Sequence, residues 1–370
     1  MMPQNLLQTP LYQEHLNIQA RMVAFAGYEM PVQYQSIIYE AKSVRKACGM
    51  FDVSHMGRFK IYGESAIKYL ENLTSNDVSK LKDGIAQYTL LTHPKGGCID
   101  DLLLYRVSLK EFLMVVNASN HQKDLRWLKQ HLIQGTEVHD ITFETAMIAV
   151  QGPEAKNVIH YLTQNNEIFS LPNFGFLQSL IAGLSCLIAR SGYTDEDGFE
   201  IICRAEDGPK LWQSLLKEKI VPCGLGARDV LRVEAGLLLY GHELSENLSP
   251  VAAGLNWVIS QTKFFMGSEI IRKAIQEGIS YKLCGICLES KRIPAPGMKI
   301  FEEGHQIGEV TSGVYSPSLE RGIGLAYIDR MIPLETKCSL DIRGKPEPAK
   351  ITKKRFLKSP LTIENFSNKE

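Results

Sequence analysis

Hydrophobic and polar positions change period several times along the chain, and each change predicts an element. Residues 10–20 show helical spacing, with Thr9 as the expected cap and Pro10 at the first helical position. A second helical pattern covers 36–47 and is expected to stop at Gly49. Between them, Phe25-Ala26-Gly27-Tyr28-Glu29-Met30-Pro31-Val32 is too rich in Gly and Pro for a helix. From 50 to about 140, strands alternate with helices. Gly57–Tyr62 has period two, Ala66–Leu73 is helical, and 88–92 reads as a strand. Residues 101–107 and 112–117 make two strands joined by a turn at Ser108-Leu109-Lys110, and 125–131 is helical.

A comparable pattern fills 145–241. A strand at 146–151 is followed by a helix after Pro153, strands near Ser185 and Phe199, and helices after Pro209 and Arg228. The last hundred residues are short apolar runs punctuated by Gly297, Gly304, Gly308, Gly313 and Pro317, the signature of a small all-β barrel. The boundary is expected at 265–280. Lys353-Lys354-Arg355 reads as a solvated end.

Composition narrows the class. A chain of 370 residues exceeds what one core organises, so two or three domains are expected. Lys plus Arg and Asp plus Glu are both 41, and this balance argues against a nucleic-acid binder. Met1-Met2-Pro3-Gln4-Asn5-Leu6-Leu7-Gln8 lacks the features of a signal or transit peptide, and the longest apolar run is far too short to span a membrane. A cytoplasmic protein is expected. Of eight cysteines, only Cys284-Gly285-Ile286-Cys287 has metal-ligand spacing, and no second pair follows it. The pair reads as part of a buried strand, and no metal is expected.

Four segments are candidates for chemistry. Asp100 and Asp101 enter a strand after Gly96-Gly97, so at most one of them faces a given pocket. From spacing alone, the favoured reading is a turn whose aspartates bond their own backbone. Gly192-Tyr193-Thr194-Asp195-Glu196-Asp197-Gly198-Phe199-Glu200 carries four acids. Three belong to a turn and are expected to be solvated or capping, while Glu200 starts a strand. Gly224-Leu225-Gly226-Ala227-Arg228-Asp229 lacks the third glycine and the preceding strand of a dinucleotide fingerprint. Phe51-Asp52-Val53-Ser54-His55-Met56 brings Ser, His and Asp together, but triads are drawn from distant segments, so this cluster reads as a turn. Periodicity and spacing end at a soluble multidomain α+β protein.

Taken in order, these segments resemble the glycine cleavage T-protein family. The resemblance runs through Thr9-Pro10-Leu11-Tyr12, Ala20-Arg21-Met22-Val23, Phe25-Ala26-Gly27, Phe51 to Met56, Gly96-Gly97 with Asp100-Asp101, and Gln151-Gly152-Pro153. It continues through Gly192-Tyr193-Thr194, Gly224 to Asp229, Thr311-Ser312-Gly313 and Ser316-Pro317-Ser318-Leu319. It implies an α+β fold, a three-domain cloverleaf of two interleaved ferredoxin-like α/β sandwich domains plus a C-terminal β-barrel. Residues 1–270 would be the folate-binding catalytic region (about 1–50 with 141–240, then about 51–140), and 271–370 the barrel.

The resemblance also implies an aminomethyltransferase that uses tetrahydrofolate as co-substrate. Its implied partner is the lipoylated H protein of the glycine cleavage system, with the P and L proteins met indirectly and no nucleic acid or membrane. Asp101 carries over as the catalytic carboxylate beside the pterin nitrogens, and Glu200 and Arg228 as groups holding the pterin and its environment. Met56, Tyr88, Leu103, Tyr105, Val115, Asn117, Tyr193 and Trp257 fall on positions lining the folate pocket. The chain departs from the family at Ala24, Tyr28, Asp195 and Ile293-Pro294-Ala295-Pro296-Gly297, where relatives usually carry Asp, Trp, Gly and a basic residue. Related folate proteins of RNA modification or iron–sulfur assembly carry a Lys-Gly-Cys-x-x-Gly-Gln-Glu stretch that is absent here, and they usually lack the Asp-Asp pair. Folate domains of flavin-dependent dehydrogenases need an FAD domain for which the chain has no room. A non-catalytic folate binder would be favoured by loss of Asp101, which is present.

Overall fold

The computed structural model describes residues 6–358; residues 1–5 and 359–370 of the expected domain ranges lie outside the described residues. One sheet has five antiparallel strands in the order Ile85–Thr92, Cys98–Ser108, Glu111–Val116, Gly57–Tyr62 and Glu137–Asp140. A second has six, in the order Phe176–Ile181, Leu184–Ala189, Gly198–Arg204, Thr145–Gln151, Gly49–Asp52 and Val221–Pro222. Only the last pair in that sheet is parallel. The six strands between Tyr281 and Thr352 close into a barrel, because short alternating strands remove their exposed edges by closure. Helix Ser268–Glu277 occupies the stretch where the boundary was expected.

Alternation along each strand decides what it covers. On strand Cys98–Ser108, Leu102 and Leu104 pack with Phe59, Ile61, Tyr69, Leu70 and Leu128 under helices Ala66–Leu73 and His121–Gln130. The other face of the sheet contributes Leu103, Tyr105, Leu113 and Val115 to a second core. That core also takes Met147, Ala149, Ile202 and Ala189 from the six-stranded sheet, Ala227, Val230 and Leu231 from helix Leu225–Ala235, and Val314 and Ile323 from the barrel. The two sheets, one helix and the barrel therefore meet around a single central core.

Several local expectations are corrected. The first helix covers only Tyr12–Asn17, with Leu11 at its N-cap; the Thr9 oxygen accepts from Leu11 N at 3.3 Å while its hydroxyl donates to Asp52 Oδ2 at 2.6 Å. The second helix ends at Lys46. Gly49 is the first residue of a strand, where a Cβ would stand 2.6 Å from Val44 and 2.7 Å from Cys223. Asp100 and Asp101 both belong to strand Cys98–Ser108, so the turn reading is displaced. The acids of the 195–197 turn are paired rather than solvated: Asp195 with Arg355, Glu196 with Arg45, and Asp197 with Arg190.

The stretch at 353–355 is exposed at Lys353 and Arg355, as expected, but Lys354 is half-buried and the chain just beyond is anchored. Lys354 Nζ donates to Ala253 O at 3.1 Å, Phe356 N donates to Glu234 O at 3.0 Å, and the Phe356 ring packs on the central core. Cys284 and Cys287 are free thiols on strand Tyr281–Leu288. Three positions apart, they point to opposite faces, Cys284 into the barrel and Cys287 toward the central core.

Candidate functional site

The face of the five-stranded sheet that carries Leu103 and Tyr105 also carries Asp101, because all three are odd positions of one strand. Cross-strand register adds its neighbours: Tyr88 lies opposite Leu103, and Val115 faces Leu103 from the other side. Tyr88 Oη donates to Asp101 Oδ2 at 2.8 Å, and Asn117 Nδ2 donates to Oδ1 at 3.0 Å. The Tyr88 ring also stacks on Trp257, with centroids 5.7 Å apart and planes at 20°. Trp257 is 53% exposed, so the aromatic pair forms a wall open on one side. Burial is the main cause, and the charge of Asp100 the second, of an Asp101 proton affinity pushed up to about 7.

Glu200 stands on the facing sheet at an even position with Ile202, which places it on the side of the central core. It accepts from Ser191 Oγ. Burial raises its proton affinity, while the Ser191 hydrogen bond and the Arg228 charge pull it back down. The Tyr105 hydroxyl faces Glu200 and Ser191 from the other sheet. Arg228, in the first turn of helix Leu225–Ala235, holds its guanidinium 4.5 Å from the centroid of the Tyr193 ring. The Tyr193 hydroxyl donates to Leu238 O, which ties its loop to the segment that follows helix Leu225–Ala235. Asp101 and Tyr193 lie close enough to influence one another electrostatically, and so do Glu200 and Arg228.

Ten of the eleven residues named from the resemblance are thus joined by register, hydrogen bond, ring contact or shared core. The eleventh, Met56, is partly buried against the same central core. Sequence reasoning passed over Ser191, Asn120 and Asp124, which bond or back the site carboxylates. His55, weighed there only as part of a turn, is a buried ring whose Nδ1 has no hydrogen-bond partner among the described residues and whose proton affinity burial lowers to about 3. Ser191 adjoins the Gly192-Tyr193-Thr194 motif, and His55 sits inside one; no local pattern marks Asp124. Among the described residues, no group of three or more His, Cys, Asp or Glu side chains is arranged to hold a metal ion. No helix among them is long and apolar enough to cross a membrane.

Residues 11–263 match the GCVT N-terminal domain family, and residues 282–358 match the glycine cleavage T-protein C-terminal barrel domain. The chain belongs to the glycine cleavage T-protein family. An aminomethyltransferase of Geobacillus sp. (strain WCH70) is 43% identical over 361 residues, covering 95% of this chain and 99% of that relative. One from Thermotoga petrophila is 42% identical over 363 residues, covering 96% and 99%. The crystal structure of glycine cleavage system aminomethyltransferase T from Bartonella henselae matches with a TM-score of 0.90 at 29% identity, covering 96% of this chain and 99% of that one. The enzyme is an aminomethyltransferase of the glycine cleavage system. Its α+β fold with a closed C-terminal barrel is the one the resemblance implied.

Proposed function

We propose that the enzyme moves the methylene carbon of an aminomethyl group, held as an N,S-acetal on the lipoyl-lysine arm of H protein, to tetrahydrofolate. The products are 5,10-methylenetetrahydrofolate, ammonia and dihydrolipoyl H protein. The carbon loses its bonds to sulfur and to the amine and gains two bonds to folate nitrogens. The two folate N–H protons leave with the ammonia and the thiol. Contact with the P and L proteins is indirect, through the same arm, and the reading carries a cytoplasmic location. In it, residues 1–270 form the catalytic region, built from about 1–50 with 141–240 and from about 51–140, and 271–370 form the barrel.

The observation that carries this reading is Asp101. It is a partly exposed carboxylate oriented by Tyr88 and Asn117, with a proton affinity near neutral. Departure of the amine or the thiolate leaves an iminium-like carbon that a folate nitrogen must attack. A carboxylate there orients that nitrogen, stabilises the developing positive charge and takes up the released proton. Its positioning and electrostatic role comes first and its role as base second.

Glu200 suits the paired N–H donors of a pterin edge, and the charge of the neighbouring Arg228 favours its ionised form against burial. Among the described residues, the Arg228 side chain has no hydrogen-bond partner, which leaves its donors available to a ligand. Tyr88, Trp257 and Tyr193 supply ring faces for a flat heterocycle, and Met56, Leu103, Tyr105, Val115 and Asn117 line the remainder.

The test is a coupled assay with aminomethylated H protein and tetrahydrofolate, following ammonia and methylenetetrahydrofolate together. Folate-dependent formation of both is expected. Folate binding without carbon transfer would overturn the reading in favour of a folate-binding relative with another donor.

A further inference from the structure

Asp100 and Asp101 are strand neighbours and face opposite ways. Asp101 opens toward the pocket, whereas Asp100 is 0% exposed behind it. Asp100 accepts from Asn117 N at 2.9 Å, Asn117 Nδ2 at 2.9 Å and Asn120 Nδ2 at 2.6 Å. Beside it lies the carboxyl of Asp124, on helix His121–Gln130 and also 0% exposed, close enough for the Asp100 charge to raise its proton affinity. Among the described residues, neither oxygen of Asp124 has an amide, hydroxyl or cationic donor. Lys123, its neighbour, donates instead to Ile99 O at 2.7 Å and Tyr240 Oη at 2.8 Å, with Glu246 at 3.3 Å.

Two carboxyls side by side away from water do not both ionise; they hold one proton between them. Three N–H donors surround Asp100 and none reaches Asp124. The charge therefore rests on Asp100, and Asp124 keeps the proton. Burial raises the proton affinity of both groups and leaves Asp124 well above the ordinary carboxylate range. Asn117 carries this arrangement forward, since its Nδ2 donates to Asp100 Oδ1 at 2.9 Å and to Asp101 Oδ1 and O at 3.0 Å each.

We propose that Asp100 and Asp124 form a one-proton pair that acts as the positioning element for Asp101, with the charge on Asp100, the proton on Asp124, and Asn117 as the link. The proposal rests on the reading of Asp101 as the pocket carboxylate. The fixed charge of Asp100 opposes ionisation of Asp101, so Asp101 changes state close to neutral pH rather than in the ordinary carboxylate range. The other ionisable groups around Asp101 are Tyr88, Tyr193 and Cys98, all held neutral by burial. Lys123 and Tyr240 lie around the pair.

The experiment uses the full-length enzyme in the coupled assay across pH, with isotope-edited infrared spectroscopy of the aspartate carboxyls. Asp100→Asn removes the charge, so the acid limb of kcat is expected to move down on the order of one pH unit. Asp124→Asn keeps a neutral donor toward Asp100, so its limb is expected to stay at the wild-type position. It should, however, lose the carbonyl band of a protonated acid that the wild type retains at alkaline pH. An equal downward shift in Asp124→Asn would place the charge on Asp124 and overturn the proposal. So would an unmoved limb in Asp100→Asn, or absence of the band from the wild type. If Asp100→Asn fails to fold, the band and the Asp124→Asn limb still decide. Full transfer by Asp101→Ala with the band intact would sink the reading of the pocket, whereas lost transfer with no band would sink the pair alone.

Discussion

Tyr88 and Asp101 meet as diagonal neighbours across two antiparallel strands. Leu90 is the direct partner of Asp101, and Tyr88, two residues earlier, reaches across to donate its phenol at 2.8 Å. The same phenol ring stacks on Trp257, so one residue both orients the carboxylate and backs a half-exposed indole.

Asp101→Asn is expected to lower kcat by roughly 10²–10⁴-fold. Wild-type activity should rise with pH through about 7, because the ionised carboxylate is the working form. The stability effect has the opposite sign. A folded-state proton affinity raised above the ordinary value of about 4 means that the stabilisation present at acid pH is lost as pH rises toward about 7. The variant should therefore melt above the wild type at alkaline pH and converge with it at acid pH. Wild-type turnover in the variant would remove Asp101 from the mechanism.

Glu200→Ala removes a buried acceptor opposite the aromatic wall. Tetrahydrofolate Kd, measured by calorimetry, should rise roughly 10- to 100-fold, the worth of a hydrogen bond to a charged group. Unchanged affinity would refute its role at the pterin.

Gly97 stands where a Cβ would lie 1.9 Å from Glu246 O and 2.5 Å from His93 Nε2. Gly97→Ala must push the 245–248 loop away from the strand that carries Asp100 and Asp101, whose first residue, Cys98, donates to Ser245 O at 3.2 Å. A loss of about 1–3 kcal/mol and a lowered kcat are expected from urea unfolding and the transfer assay. Wild-type values for both would show that the loop yields freely.

Phe356→Ala should destabilise the fold by about 2 kcal/mol, since the ring packs on the central core. Arg355→Ala, which removes a partly exposed pair with Asp195, should cost less than about 1 kcal/mol. Two equally small losses in urea unfolding would return this segment to the solvent.

Much of the fold was legible in the sequence because its signals are local. Gly57–Tyr62 and Ala66–Leu73 follow from period two and period 3.6 alone. The barrel follows from short strands separated by Gly and Pro. Asp101, Glu200 and Arg228 were named through ordered motifs, with no geometry. The motifs single out residues and say nothing about what surrounds them.

Tertiary structure decided the rest. Thr9 was expected to serve only the start of its own helix; its oxygen accepts from Leu11 N there, while its hydroxyl also donates to Asp52, a buried carboxylate far along the chain. The basic stretch at 353–355 looked solvated, yet the backbone beyond it is held by Glu234 and its phenyl ring by the core. Asp124 is one polar residue on an amphipathic helix until the fold sets it against Asp100 and removes the water from both. Period and motif determined the elements and the principal carboxylates of this protein. Burial and long-range pairing, which no window of sequence contains, decided their charge states and partners.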